Sequence, residues 1–173
     1  MDGSSAAGRL REVYAVAYPR LVGQLVGVTG DPAEAEDVVM EAFARAAPRR
    51  SSFHGADNPE AWLRTVAVNV ARSRWRRMLR WAHLLPELVT PASYADLPDD
   101  RLALMAALRR LPVTQREAIA LHHLADLPVA EVAATLGVPE GTVKARLSRG
   151  RAALAELLVA PSHVAPSKED DHV

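Results

Sequence analysis

The sequence predicts an all-α protein: two small helical domains joined by a flexible linker, the C-terminal one a helix-turn-helix. Three observations predict it. Apolar residues recur at three- to four-residue spacing in both halves, and no strand-like alternation of useful length interrupts them. After Val89 that periodicity lapses, and Pro86, Pro91 and Pro98 stand among Thr, Ser and Asp. Finally, LPVAEVAATLGVPEGTVKARLSRG has a short apolar-periodic run, a glycine and a longer run, the order of a helix-turn-helix. The domains read as 1–81 and 102–160, with a linker at 82–101 and a disordered Pro-, Ser- and acid-rich tail at 161–173.

Taken in order, Leu10, Val13, Tyr14, Ala17, Leu21, Leu25 and Val28 put helix over 9–29, and Pro19 favours two short helices there over one. GDPAEAEDVVMEAFARAAP then supplies Asp31 as N-cap, Pro32 at the first helical position and Glu34 in the first turn, an acidic variant of the capping box. That helix, 32–47, buries Val38, Val39, Ala42, Phe43 and Ala46, while Glu34, Asp37 and Glu41 share another face. A loop follows, and Asn58 with Pro59 opens the next helix, 59–81, whose inner face is Trp62, Val66 and Val70 beside Leu63 and Ala67.

The end of this helix, RSRWRRMLRW, is the most unusual stretch of the chain. Helical spacing puts Arg72, Arg76 and Arg80 in one stripe flanked by Arg74 and Arg77, a basic surface without glutamate neighbours in sequence. The formal net charge of zero hides strong segregation. Residues 48–81 carry eight arginines against Asp57 and Glu60, whereas 82–100 carry four acids and neither lysine nor arginine. A second basic excess lies in 101–160, so the pattern predicts a polyanion touched at two places.

In the second half, Leu102, Met105, Leu108 and Leu111 make a helix stopped by Pro112, and TQRE reads as a capping box of Thr114 with Glu117. Val129, Val132, Ala133 and Leu136 pack inward, Gly137 reverses the chain, and the last helix begins near Pro139. Its core side is Val143, Leu147, Gly150 and Leu154. Its outer side, Gly141, Lys144, Ala145, Ser148 and Arg149, is small and basic, which suits close approach to a major groove. Gly141 is expected to serve close approach or packing, since it weakens a helix by about 1 kcal/mol relative to alanine.

Several classes of function are excluded or disfavoured. The chain has no cysteine, which rules out disulfides, thiolate metal sites and a cysteine nucleophile. His122 and His123 are adjacent in a helix and point about 100° apart, poor geometry for joint metal binding. No glycine-rich phosphate loop or nucleophile–base pair is evident, so neither a catalytic site nor a cofactor is expected. The chain lacks an apolar run of about 18 residues and a signal-like N-terminus, which predicts a cytoplasmic protein.

These segments resemble the extracytoplasmic-function (ECF) sigma factors of bacterial RNA polymerase, of the sigma-70 family. LPVTQREAIALHHLADLPVAEVAATLGVPEGTVKARLSRGRAAL is similar to their promoter-reading C-terminal domain. GDPAEAEDVVMEAFARA and NPEAWLRTVAVNVARSRWRR are similar to their N-terminal one, and the likeness covers about residues 9–158. The resemblance implies a factor that binds core polymerase, recognises promoters, opens DNA and starts transcription. It implies that Glu36, Asp37, Met40 and Glu41 meet the polymerase clamp coiled coil, with Phe43 in the core, and that the second domain meets the flap. Minus-10 DNA would be held by Phe53, His54, Asn69, Arg72, Trp75, Arg76 and Arg77. Minus-35 DNA would be read by Thr142, Lys144, Ala145, Arg146, Ser148 and Arg149. An anti-sigma factor is a further expected class of partner, and the free chain would be a monomer.

The sequence departs from the family pattern at Met40, where glutamine is usual, at Ser73, where an acid is usual, and at Pro128, where a capping serine or threonine is usual. A competing reading stays open at this level: a homodimeric DNA-binding regulator that uses 1–81 to dimerise and binds a palindrome without polymerase.

Overall fold

The computed structural model describes residues 3–49, 53, 55–82 and 98–159, with the side chains of 3–7 and 9 outside that description. Most of the predicted linker, the tail and His54 lie outside the described residues. Seven α-helices and one π-turn make up the regular structure among the described residues: α1 Gly3–Thr29, α2 Pro32–Ala46, α3 Pro59–Ala82, α4 Asp99–Arg110, α5 Val113–Ile119 running into the π-turn Ala120–Leu124, α6 Val129–Leu136 and α7 Glu140–Val159.

Helix α1 passes through Pro19 unbroken, where two helices were expected. Proline deletes one backbone hydrogen bond and crowds the preceding turn. Here Ala15, Val16, Pro19 and Arg20 lie on the exposed side, where water can take the freed carbonyl. Ala17, Leu21 and Leu25 meanwhile hold both halves of the helix on one core. The helix ends at Gly30, whose left-handed φ of 76° lets its N–H return to the Val26 carbonyl at 2.8 Å.

Asp31 caps α2 as its sequence predicts, Oδ1 accepting from the N–H groups of Ala33 at 2.8 Å and Glu34 at 3.2 Å. Replacing Asp31 with alanine is expected to lower stability by about 1 kcal/mol. In a thermal melt followed by circular dichroism that is a fall of about 4–8 °C in the transition of this domain, and an unchanged midpoint would remove the cap from the account. Asn58 does the same for α3, accepting from Ala61 N–H at 3.0 Å.

The three helices close on Leu21, Leu25, Val38, Val39, Leu63, Ala67, Val68 and Val70, an Ala-, Leu- and Val-rich core in keeping with a chain only 5% aromatic. The buried face of α3 is rotated from expectation. Leu63, Arg64, Ala67 and Val70 are buried, whereas Trp62 and Val66 are half-buried. Phe43 lies in the core, with its ring edge-on to Tyr14 at 5.0 Å.

In the second unit α4 opens at Asp99, three residues before the periodicity begins, with Asp99 and Asp100 in its first turn, where the helix dipole favours them. The TQRE capping box does not form. Helix α5 begins at Val113 with Pro112 at the cap, so Thr114 is already inside the helix, and Glu117 turns away into the interior. Val132, Ala133, Leu136, Val143 and Leu147 close the helix-turn-helix, and Gly137 (φ 67°) makes the left-handed reversal between α6 and α7. Gly150 brings α7 against α5: a Cβ there would stand 2.9 Å from Ile119 Cγ1. Gly141, in contrast, has open space where a Cβ would be, so packing is not its reason.

The two units pack together. Helix α1 lies on α5 and the π-turn, and α3 lies on α6. Gly27 is the close point, where a Cβ would come within 2.9 Å of Ala120 Cβ and 2.6 Å of Leu124 Cδ1.

Candidate nucleic-acid interface

Helix α3 is where the charge of the sequence becomes a surface, and its five C-terminal arginines have three different environments. Arg76, Arg77 and Arg80 are exposed. Arg74 turns back onto α2, where Nε and Nη2 donate to Glu34 at 2.7 and 3.0 Å, Nη1 donates to Glu41 at 3.3 Å, and Asp37 stands at 3.5 Å. The hydrogen bonds to Glu34 raise its pKa above the ordinary guanidinium value, against the opposing effect of burial. Arg72 leaves its own domain altogether. Its Nε and Nη2 donate to Glu117 Oε1 and Oε2, both at 2.7 Å, and Nη1 donates to the Leu136 carbonyl at 3.2 Å. This fork-on-carboxylate geometry is the strongest an arginine makes with a carboxylate, and it raises the Arg72 pKa. Sequence neighbours show none of these carboxylates, because they lie 33–45 residues away.

Of the other residues expected at minus-10 DNA, Asn69 is exposed and Trp75 is half-buried with the Arg116 guanidinium 5.4 Å from its ring centroid. Phe53 is a correction. It is only 1% exposed and meets Trp62 edge-on at 5.8 Å, so its ring belongs to the core and cannot receive an unpaired base.

On α7, Val143, Leu147 and Gly150 fasten the helix inward, leaving Lys144, Ser148 and Arg149 exposed and Thr142 and Ala145 half-buried beside them. Arg146 is on the flank, half-buried, facing the cleft between the domains with Arg72 and Arg76. On α2, Glu36, Asp37 and Met40 are exposed, Met40 at 55%, and Glu41 is half-buried between Arg45 and Arg74. An exposed methionine among acids, with Tyr14 and Val16 also exposed on α1, is a surface suited to a basic and partly apolar partner.

Arg64 escaped sequence analysis. It is buried, with Nε donating to Gln24 at 2.9 Å, and burial lowers its pKa despite Glu60 and Glu131, each 3.6 Å away. His122 and His123 meet edge-on at 4.7 Å, and the His122 Nδ1 stands 2.7 Å from the Leu127 carbonyl, a contact that orders the turn before α6.

These surfaces match known proteins in the same order along the chain. A family model described as Sigma-70 region 2 matches residues 10–82, and one described as Sigma-70, region 4 matches residues 101–154. The chain is 31% identical over 157 residues to the ECF RNA polymerase sigma factor EcfG of Rhodopseudomonas palustris, covering 86% of this chain and 84% of that protein. It is 35% identical over 145 residues to the ECF RNA polymerase sigma factor SigM of Mycobacterium tuberculosis, covering 82% and 73%. Among solved structures, the sigma factor RpoE in complex with the anti-sigma factor NepR from Bartonella quintana superposes with a TM-score of 0.71 at 29% identity, over 87% of this chain and 97% of that one. CnrH in complex with the cytosolic domain of CnrY gives 0.63 at 27%, over 93% and 92%. With both family regions present in order and relatives that span most of its length, the chain belongs to the sigma-70 family as an ECF RNA polymerase sigma factor, a factor that directs transcription initiation at promoters.

Proposed function

We propose a division of labour along the chain, with a first domain at 1–81, a linker at 82–101 and a second domain at 102–160. The exposed side of α2, Glu36, Asp37, Met40 and Glu41, docks on core RNA polymerase. Helix α3 holds and opens the minus-10 element through Asn69, Arg72, Trp75, Arg76 and Arg77, with His54 preceding it in sequence. Helix α7 reads the minus-35 element through Lys144, Ala145, Ser148 and Arg149, with Thr142 and Arg146 nearer the backbone. The observation that carries this reading is the pair of separate exposed basic surfaces, Arg76–Arg77–Arg80 on α3 and Lys144–Arg149 on α7, in a chain of this family. Catalysis belongs to the polymerase, and the factor works in the cytoplasm. The likeness to a sigma factor solved with the anti-sigma factor NepR supports a restraining partner of that kind for this chain.

Run-off transcription with purified core polymerase on a random promoter library tests the reading. Transcripts from a shared two-element promoter are expected, and they disappear when Asp37→Lys and Met40→Asp are combined. No transcript with any template, together with retention of palindromic duplexes by the protein alone, would overturn it in favour of a dimeric regulator.

A further inference from the structure

We propose that Glu117 is an intramolecular stand-in for a DNA phosphate: it occupies Arg72 when the two domains are closed and must be displaced before α3 can engage the promoter. The proposal rests on the assignment of α3 to minus-10 DNA.

The geometry is that of a phosphate site already filled. Glu117 presents two acceptor oxygens to the Arg72 fork at 2.7 Å each, the arrangement arginine uses for carboxylate and phosphate alike. The cleft around the pair, about 350 Å³, is lined by Trp75, Arg76, Thr114 and Arg146. Three arginines thus line a cleft with a single carboxylate, which Arg72 alone engages, and Arg146 Nη1 is buried with no hydrogen-bond partner among the described residues. A site with this excess of positive charge has a standing demand for an anion, and promoter DNA brings one every few ångströms.

Further contacts between the two units support closure. Gly27 admits Ala120 and Leu124 to the face of α1. Arg116 Nε donates to the Val28 carbonyl at 2.9 Å, placing a cation at the negative end of α1. The Arg109 side chain lies over Gly30. None of these contacts involves the exposed face of α7, so in the closed state Lys144, Ser148 and Arg149 remain accessible while the half-buried Arg72 has its fork occupied by Glu117. Closure therefore separates the two promoter contacts: duplex can meet α7 first, and Arg72 becomes available only when α3 and α5 part.

Two measurements test this. The chain has no cysteine, so Gly27→Cys with Ala120→Cys creates a single pair. Their Cβ separation of 2.9 Å widens by less than about 1 Å to reach disulfide geometry. The oxidised, closed protein is expected to initiate at least about tenfold less transcription than the same protein after reduction. Separately, Glu117→Gln keeps the shape and removes the charge. It is expected to tighten binding of the protein alone to a fluorescein-labelled mixed-sequence single-stranded 12-mer about three- to tenfold at low salt, and the gain vanishes in an Arg72→Ala background.

Oxidised protein that initiates as well as reduced protein, or Glu117→Gln indistinguishable from the parent, overturns the proposal. If only the lock is wrong, Arg76→Ala with Arg77→Ala still impairs the reduced protein. If the assignment of α3 is wrong, that double variant transcribes normally.

Discussion

Replacing Lys144 and Arg149 together with alanine is expected to lower run-off transcription from a two-element promoter by about thirtyfold or more, with the fold intact. Both side chains are exposed, and the helix that carries them is fastened by Val143, Leu147 and Gly150 on its other side. Alanine is at least as good a helix former as lysine or arginine, so the change removes contacts without loosening α7. A good base-edge contact contributes about 1–3 kcal/mol of discrimination, and two lost together give roughly thirtyfold to a few tens of thousandfold. Salt dependence separates base reading from phosphate holding. If both residues only neutralise phosphates, the slope of log K against log salt for minus-35 duplex falls by about two while sequence preference survives. Loss of preference for the minus-35 sequence identifies base readers. Transcription within twofold of the parent would remove both from the reading surface.

The helices were legible in sequence because their ends are local: Asp31 with Pro32, Asn58 with Pro59 and Gly137 each do their work within a few residues of where they stand. The helix-turn-helix core was legible for the same reason, since Val132, Leu136, Val143 and Leu147 are set by periodicity. What escaped were partners that only the tertiary fold brings near. Thr114 and Glu117 have capping-box spacing, but with Pro112 at the cap the helix starts two residues too early for Thr114 to cap it, and the carboxylate is met by an arginine 45 residues upstream. Arg64 has no local sign of burial, because the Gln24 that receives its Nε is 40 residues away. Phe53 stands among polar residues in sequence, where an aromatic reads as a contact residue until Trp62 folds against it.

The arginine stripe shows how a correct composition reading can still misassign individual side chains. Counted along the helix, Arg72, Arg74, Arg76, Arg77 and Arg80 form one surface; in the fold Arg74 ties α3 to the acidic face of α2, and Arg72 ties it to α5. Arg74 therefore links the surface proposed to meet polymerase with the helix proposed to meet DNA. Its three carboxylate neighbours, Glu34, Asp37 and Glu41, are among the charges a basic partner would compete for.

Gly150→Leu is expected to destabilise the C-terminal domain by about 2–4 kcal/mol, the largest single-residue effect on stability predicted for this chain. A bare Cβ at this position would already stand 2.9 Å from Ile119 Cγ1, 3.3 Å from its Cδ1 and 3.4 Å from Gln115 Cβ. Ile119 is itself buried and β-branched, so it has few rotamers to retreat into. Alanine sets two opposing effects against each other, a gain of about 1 kcal/mol in helix propensity and a shift of a few tenths of an ångström in Ile119, so Gly150→Ala should lie near neutral. Leucine adds three further carbons with nowhere to place them except between α5 and α7. A domain of about sixty residues has little stability in reserve, and its midpoint falls roughly 4–8 °C per kcal/mol. Calorimetry of the full chain should therefore show a transition lowered by about 10 °C or more for Gly150→Leu and by under about 4 °C for Gly150→Ala. Equal midpoints for the leucine variant and the parent would mean that α5 and α7 do not pack at this glycine. Leucine and alanine variants shifted by the same amount would trace the loss to the helix backbone instead of to Ile119.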